Sequence, residues 1–133
     1  MTDSWGHGDY IIETRDRVII SQSFGSWNDV TINKFIKEYQ CHAQLLIDQP
    51  WAGIVDVTQW QLATQEAELI SKEFESWCCM NNRQYVAIVG TSPIVNFQLS
   101  RAGLNKKALQ TDIQYFDTLS SAIEWLTLLK LMS

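Results

Sequence analysis

The stretch Gly53-Ile54-Val55-Asp56-Val57-Thr58 decides how this chain folds. Its short run of apolar, mostly β-branched residues is typical of an inner β-strand that is covered on both faces. A polar loop follows it, and the segment from Thr64 to Asn81 then repeats apolar residues at helical spacing. Thr64 suits the N-cap of that helix, because its hydroxyl can accept a hydrogen bond from a free amide of the first turn. The sequence therefore predicts a buried strand, a polar loop and an amphipathic helix in succession.

The residues ahead of this unit predict a hairpin and a first helix. The β-prone runs Tyr10-Ile11-Ile12 and 18–24 are joined by a short polar link, which favours a β-hairpin. A loop over 25–29 follows, with Asn28 as the helix cap, and an apolar stripe at helical spacing then runs from Ile32 to Leu46. Pro50 ends this helix because the residue before a proline is pushed out of helical geometry.

Two more strands, each followed by a helix, complete the chain. Strands are predicted at 85–90 and 113–116. Ser92 caps the helix that follows the first of these strands, and Ile94, Phe97 and Arg101 run along that short helix, which ends near Gly103. Asp117 or Thr118 caps the last helix. Helical crossovers make the inner strands parallel, so we expect one α/β domain over residues 1–133, with a mixed, mostly parallel sheet of about five strands and about four helices.

Composition narrows the classes of function. The net charge of −5 argues against nucleic acid as a partner, and the Lys106-Lys107 pair is expected to be solvated surface. Residues 1–8 read as a flexible tail without the features of a signal peptide, and Lys130 to Ser133 are expected to fray. No apolar run is long enough to span a bilayer, and three cysteines, two of them adjacent, favour a reducing cytoplasm.

Chemistry-bearing residues follow the ends of the inner strands. Parallel strands bring these ends to one edge of the sheet, where α/β proteins bind ligands, and helix N-termini there favour anions. The candidate partner- or ligand-binding residues are Asp56, Thr58, Trp60, Thr64, Thr91, Ser92, Asp117 and Thr118. The simpler interpretation of the hydroxyls is ordinary helix capping, which selects the same residue types. Asp56 likewise either faces a partner or braces its own loop.

Signatures of catalysis and of metal binding are absent from the sequence. Cys41 and His42 are adjacent on a predicted helix, so their side chains diverge, and no ligand pair has metal-binding spacing. No serine lies in a nucleophile elbow, and the segment 90–93 lacks the glycines and the lysine of a phosphate loop. We expect no cofactor and no enzyme activity.

Six tryptophans are many for a chain of this length. Trp77 fits the apolar stripe of a predicted helix. The others fall in predicted loops or off the main stripes, and they are Trp5, Trp27, Trp51, Trp60 and Trp125. Tryptophan is enriched at binding hot spots, but it also covers loops and sheet edges in monomers, so both interpretations stay open.

The order of these elements resembles the STAS domain, and within it the SpoIIAA-like branch of small bacterial α/β proteins. The resemblance covers the chain from about Tyr10 to Leu126 and depends on order and spacing more than on any single motif. The segments that carry it are Phe24-Gly25-Ser26-Trp27, Ile54-Val55-Asp56-Val57-Thr58-Gln59-Trp60, Tyr85-Val86-Ala87-Ile88-Val89-Gly90, Tyr115-Phe116-Asp117 and Ala122-Ile123-Glu124-Trp125-Leu126.

The resemblance implies a non-enzymatic regulatory module that docks a protein partner through the segment from Asp56 to Thr64. In anti-sigma-factor antagonists of this family, a partner kinase phosphorylates a serine in an Asp-Ser-Ser-Gly type motif. This chain has Ala63-Thr64-Gln65-Glu66-Ala67 there, without the serine pair or the glycine, so Thr64 is the candidate phosphoacceptor. The implied partner is a kinase, an anti-sigma-like protein or a second copy of the chain.

The alternative is a carrier of a small-molecule or lipid-like ligand, because SpoIIAA-like folds are similar to lipid-binding α/β domains. Its apolar pocket would lie between the sheet and the helices. The residues expected to line that pocket include Trp27, Phe97 and Trp60.

Overall fold

The computed structural model describes residues 8–105 and 110–133. These contain five strands and four helices, which confirms an α/β fold with a mixed, mostly parallel sheet. The elements are β1 Asp9–Arg15, β2 Val18–Trp27, α1 Asp29–Ala43, β3 Trp51–Ala63, α2 Gln65–Met80, β4 Arg83–Val89, α3 Pro93–Arg101, β5 Asp112–Phe116 and α4 Leu119–Leu128. The predictions for residues 1–7, which include Trp5, and for Lys106-Lys107 lie outside the described residues.

The strands lie in the sheet in the order of the sequence. β1 pairs antiparallel with β2, and β2, β3, β4 and β5 are parallel neighbours. The helices α1, α2 and α3 each connect one parallel strand to the next strand in the same direction across the sheet. Because such crossovers are right-handed, the three helices lie on the same face. The main core accordingly joins that face of the sheet to α1, α2 and α3, while Ala122 and Leu126 of α4 pack on Ile54 and Ala87 of the opposite face.

The predicted N-caps are confirmed in all four helices. Asn28, Thr64, Ser92 and Thr118 each accept a hydrogen bond, through a side-chain oxygen, from an amide of the first turn. The last helix had two candidate caps, and the structure selects Thr118 over Asp117. Local hydrogen-bonding chemistry therefore fixes where each helix begins.

Two segments predicted as loops are strands instead. Gly25 pairs with Trp60 and Trp27 pairs with Ala63, so β2 and β3 continue together after β4 has made its last pair with β3, at Asp56 and Val89. We call this two-stranded part the β2–β3 extension, residues 24–27 and 58–63. Several polar side chains of this extension are exposed on a strand, so polar residues here do not indicate a loop.

Three of the tryptophans assigned to loops lie in the core. Trp51 is fully buried at the start of β3, where its Nε1 donates a hydrogen bond to the carbonyl oxygen of Asn81 at 2.7 Å. Trp27 and Trp60 are also buried, whereas Trp125 is half-buried against Tyr85 and Phe116. Three of the five tryptophans within residues 8–105 and 110–133 are therefore core residues.

The carboxyl-terminal residues are packed, contrary to the predicted fraying. Leu131 and Met132 are buried beside α4, and the backbone oxygen of Leu131 accepts a hydrogen bond from the amide of Arg17 at 3.0 Å. Asp16 Oδ2 accepts a further bond from the amide of Ser133 at 3.1 Å. These contacts join the end of the chain to the β1–β2 turn.

Candidate functional site

The candidate residues lie at the carboxyl edge of the sheet. β3, β4 and β5 are parallel and lead directly into α2, α3 and α4, so the three helix starts share this edge. The β2–β3 extension projects beyond the other strands and divides the edge into two parts. One part surrounds Asp56 and Gly90, and the other is the end of the extension at Thr64.

Asp56 braces the first part of the edge. Its Oδ1 accepts hydrogen bonds from the amide of Thr58 at 3.0 Å and from the Thr58 hydroxyl at 2.7 Å. Gln22 Nε2 donates to Oδ2 at 3.5 Å. Gly90 has a φ of 79° and lies against Thr58, and its amide donates to the carbonyl oxygen of Phe116 at 3.0 Å. This arrangement supports the interpretation that Asp56 braces its own segment, although that segment is a strand with a register shift and not a loop.

The hydroxyls at the helix starts are engaged in capping. The Thr64 Oγ1 accepts a hydrogen bond from the amide of Ala67 at 3.1 Å, and Ser92 Oγ accepts one from the amide of Val95 at 3.3 Å. Thr118 Oγ1 accepts from the amide of Ser121 at 3.1 Å. All three capping residues are exposed, as is Asp117, and Thr91 is half-buried. Trp60, in contrast, is buried in the main core and does not line the surface of the edge.

A polar cluster that the sequence did not reveal joins three elements at the end of the extension. The side chain of Gln98 forms two hydrogen bonds with the backbone of Ala63. Gln98 Oε1 accepts one from the Ala63 amide at 2.9 Å, and Gln98 Nε2 donates one to the Ala63 carbonyl oxygen at 2.7 Å. Gln98 Nε2 also donates to Glu68 Oε2 at 2.7 Å. Glu68 Oε1 forms an ion pair with Arg101 at 3.2 Å. We call these four residues the Gln98 cluster.

The Gln98 cluster determines which face of α3 is buried. The buried residues of α3 are Val95, Gln98 and Leu99, whereas Ile94, Phe97 and Arg101 are exposed. The reason is that the Gln98 side chain forms hydrogen bonds with the backbone groups of Ala63. Such a need for a polar partner is not visible in the pattern of apolar residues. The Arg101 guanidinium lies over the Phe97 ring, 5.8 Å from its centre.

A partly open cavity of about 70 Å³ lies between the sheet and α1, α2 and α3. Trp27, Trp60 and Phe74 contribute to its wall, but Phe97, which the carrier alternative placed there, does not. An engineered apolar cavity of about 150 Å³ admits benzene, so this cavity has room for a few atoms and none for a lipid-like ligand. A cavity of this volume gives little support to the alternative that the protein carries a small-molecule or lipid-like ligand.

A buried ion pair closes the opposite end of the main core. Glu75 of α2 pairs with Arg83 at the start of β4, and Arg83 NH1 donates to the Tyr39 hydroxyl at 3.3 Å. Burial alone lowers the pKa of Arg83, but Cys78, Glu75 and Tyr39 outweigh it, so that pKa stays well above its usual value. Burial raises the pKa of Cys78 to about 12 and also raises that of Tyr39. Arg83 is therefore charged, and Tyr39 and Cys78 are neutral, at physiological pH.

Among residues 8–105 and 110–133, no helix combines the length and the apolar character needed to cross a membrane. Nor does this part of the chain bring together three or more His, Cys, Asp or Glu side chains in a way that could hold a metal ion.

Comparison with known proteins identifies the fold. The chain matches no protein-family model and no curated protein sequence. It is similar to an uncharacterized DUF3478-family protein with a SpoIIAA-like fold from Shewanella loihica PV-4, with a TM-score of 0.71, 15% identity, and coverage of 95% of this chain and 98% of that one.

Two structures of SpoIIAA also match. The anti-sigma factor antagonist SpoIIAA in its unphosphorylated form gives a TM-score of 0.65 at 10% identity, covering 90% of this chain and 96% of that one. The Bacillus cell fate determinant SpoIIAA in its phosphorylated form gives 0.60 at 10% identity, covering 89% and 99%. The predicted SpoIIAA-like fold is thereby confirmed.

Proposed function

We propose that this protein is a regulatory interaction module that docks a protein partner through the segment from Asp56 to Thr64 and the adjoining surface of α3. The observation that carries the proposal is that four large apolar side chains are exposed on the three elements that the Gln98 cluster joins. Their exposed fractions are 46% for Leu62, 62% for Leu69, 67% for Ile94 and 65% for Phe97. Exposed apolar groups that lie together are typical of protein interaction sites.

The chain positions of these four residues support their being neighbours. Leu62 precedes Ala63, and Leu69 follows Glu68, so each adjoins a member of the Gln98 cluster. Phe97 precedes Gln98, and Ile94 lies one helical turn before it. We call Leu62, Leu69, Ile94 and Phe97 the apolar surface. It lies beside Thr64, where the start of α2 meets the start of α1 through a hydrogen bond from the Thr64 amide to the Trp27 oxygen, at 3.0 Å.

A non-enzymatic role and a cytoplasmic location belong to the same proposal. The candidate hydroxyls accept hydrogen bonds from helix amides, and Asp56 accepts one from the Thr58 amide. These groups therefore stabilise the backbone of the docking segment, which is a structural role. All three cysteines are free, as expected in a reducing compartment.

Site-specific photo-crosslinking in living cells of the source organism tests this docking surface. A photoreactive residue in place of Leu62 or Phe97 is expected to form a defined adduct with one partner protein. The same residue in place of Leu128 serves as control, because Leu128 is also apolar and 81% exposed but lies on α4, on the opposite face. No adduct at either position, or equal adducts at Leu128, would count against the proposal.

Thr64 is the acceptor we propose if a phosphorylation switch operates at this surface. It is exposed at the N-terminus of α2, where free amides and the helix dipole favour a phosphate, although Glu66 and Glu68 would repel it. Peptide mass spectrometry of protein isolated from its own cells with phosphatases inhibited is expected to find one phosphate, at Thr64. Thr64→Ala should abolish it and Thr118→Ala, which removes another exposed helix cap, should not. An unmodified Thr64 contradicts the switch and leaves docking itself unaffected.

A further inference from the structure

We infer that an open groove between α2 and the end of α3 binds an oxyanion, the phosphate or carboxylate group of a small molecule. The groove has a volume of about 440 Å³, which is comparable to the volumes of small-molecule sites. Leu69 is the one residue of the apolar surface that lines it. Because the site is complete without a partner protein, the inference goes beyond the proposed function and does not depend on it.

Two cations face this groove, and only one of them has a counter-ion. The charged residues that line the groove are Glu68 and Lys72 of α2 and Arg101 of α3. Glu68 Oε1 pairs with Arg101 at 3.2 Å, and Glu68 Oε2 accepts a hydrogen bond from Gln98 at 2.7 Å. Lys72, in contrast, forms no ion pair with any of the residues that the structure describes. Its ammonium group is therefore available to an anion in the groove.

The free state of Lys72 departs from the usual pairing on a helix. Glu68 precedes Lys72 by four residues, the spacing at which a glutamate and a lysine normally pair. The Glu68 carboxylate instead points to Arg101 and holds that guanidinium in place. The exposed fractions of the side chains are 10% for Glu68 and 52% for Arg101, and Lys72 is also exposed. A molecule that enters the groove therefore meets mainly the two cations.

The remaining carboxylates of α2 do not line the groove. Glu66 and Glu73 each follow a lining residue by one position, which turns them about 100° round the helix. Glu75 is buried and pairs with Arg83. Residues 90–105, which include all of α3, contain no acidic residue. Two cations and one carboxylate thus give the lining a net charge of +1, in a chain whose net charge is −5.

The turn after α3 holds the two cationic walls close together. Gly103 has a φ of 110°, and a Cβ there would lie 3.0 Å from the Lys72 Cα, so this turn lies directly on α2. Cations on facing walls repel one another, and an oxyanion between them removes that repulsion. A guanidinium and an ammonium group are the side chains that bind phosphate and carboxylate groups. Ser76 and Ser100 add hydroxyl groups to the same walls.

Titration of the isotope-labelled full chain with inorganic phosphate, followed by amide NMR signals, tests the site. At pH 7 and constant ionic strength, phosphate is expected to shift the signals of residues 72–76 and 100–103 until they saturate, which chloride should not do. Lys72→Gln should weaken this binding about tenfold, as expected for the loss of one charge-assisted hydrogen bond. Lys37→Gln, which removes an exposed lysine from α1, should leave the binding unchanged.

Further probes identify the source of the oxyanion. Glucose 6-phosphate and citrate represent small molecules, uncharged glucose is their control, and an oligo-aspartate peptide represents an acidic segment of a protein. We expect glucose 6-phosphate or citrate to shift the signals of the groove and glucose not to shift them. Binding of the peptide alone, the absence of shifts with phosphate and citrate, or binding that Lys72→Gln leaves intact would each overturn the inference. Because Lys72 forms no ion pair, Lys72→Gln is expected to fold normally, which circular dichroism checks.

Discussion

Replacing Glu75 with alanine is expected to lower the free energy of unfolding by about 3–5 kcal/mol, because it leaves the Arg83 charge buried without its partner. Arg83 is 1% exposed and Glu75 is 6% exposed, so both charged groups lie out of contact with bulk water. Arg83 does not become neutral at pH 7, because its pKa lies well above the usual value in the intact protein and an arginine side chain is protonated at neutral pH in any case. Urea unfolding at pH 7, followed by tryptophan fluorescence, measures the loss.

Two variants test whether the ion pair itself causes this loss. Glu73→Ala removes an exposed carboxylate from the same helix and should change the unfolding free energy by less than about 0.5 kcal/mol. The double variant Glu75→Leu with Arg83→Met replaces both charges by apolar groups and should recover most of the stability. If Glu75→Ala alone costs under about 1 kcal/mol, the pair is not isolated from water as the structure places it.

The elements whose signals are local could be predicted from the sequence. Asn28, Thr64, Ser92 and Thr118 mark helix starts because a cap binds amides only three residues ahead. The inner strands were found from runs of β-branched residues, which pack well on a sheet covered on both faces. The order of these elements was enough for the fold resemblance that the structural comparisons confirm.

The features that were missed depend on contacts between distant residues. Gln59 and Gln61 look like loop residues, and only pairing with β2 turns them into the outward face of a strand. Glu68 and Glu75 look like solvated helix residues, yet their partners Gln98 and Arg83 come from other elements. Two carboxylates seven residues apart on one helix face were the available signal, since that spacing places them together.

The location of the candidate residues could be predicted from the sequence, but several of their contacts could not. The candidate residues were expected at one edge of the sheet because parallel strands must end together, and the predicted hydroxyls do lie at that edge as helix caps. The carrier alternative placed Phe97 in an interior pocket because apolar residues at helical spacing usually face a core. In the structure Gln98 is buried against the backbone of Ala63, and Ile94 and Phe97 face solvent from α3.

Replacing Gly90 with alanine is expected to cost about 2–4 kcal/mol of unfolding free energy and to disturb the edge at Asp56. Gly90 has a φ of 79°, in the left-handed region, where a side chain costs roughly 1–2 kcal/mol. A Cβ there would also lie 2.1 Å from the Thr58 hydroxyl oxygen and 3.0 Å from the Thr58 Cα. Thr58 cannot yield without loosening its two hydrogen bonds to Asp56. Thermal and urea unfolding measure the cost.

A double-mutant cycle with Thr58→Gly separates the two causes. Thr58→Gly removes the hydroxyl and the Cβ that the new methyl group would meet, so the combined variant should be more stable than the two single losses predict by addition. The cost that remains for Gly90→Ala in that background should approach the left-handed backbone cost alone. Strictly additive losses would show that the methyl group and Thr58 do not collide. The close approach of Gly90 to Thr58 would then be wrong.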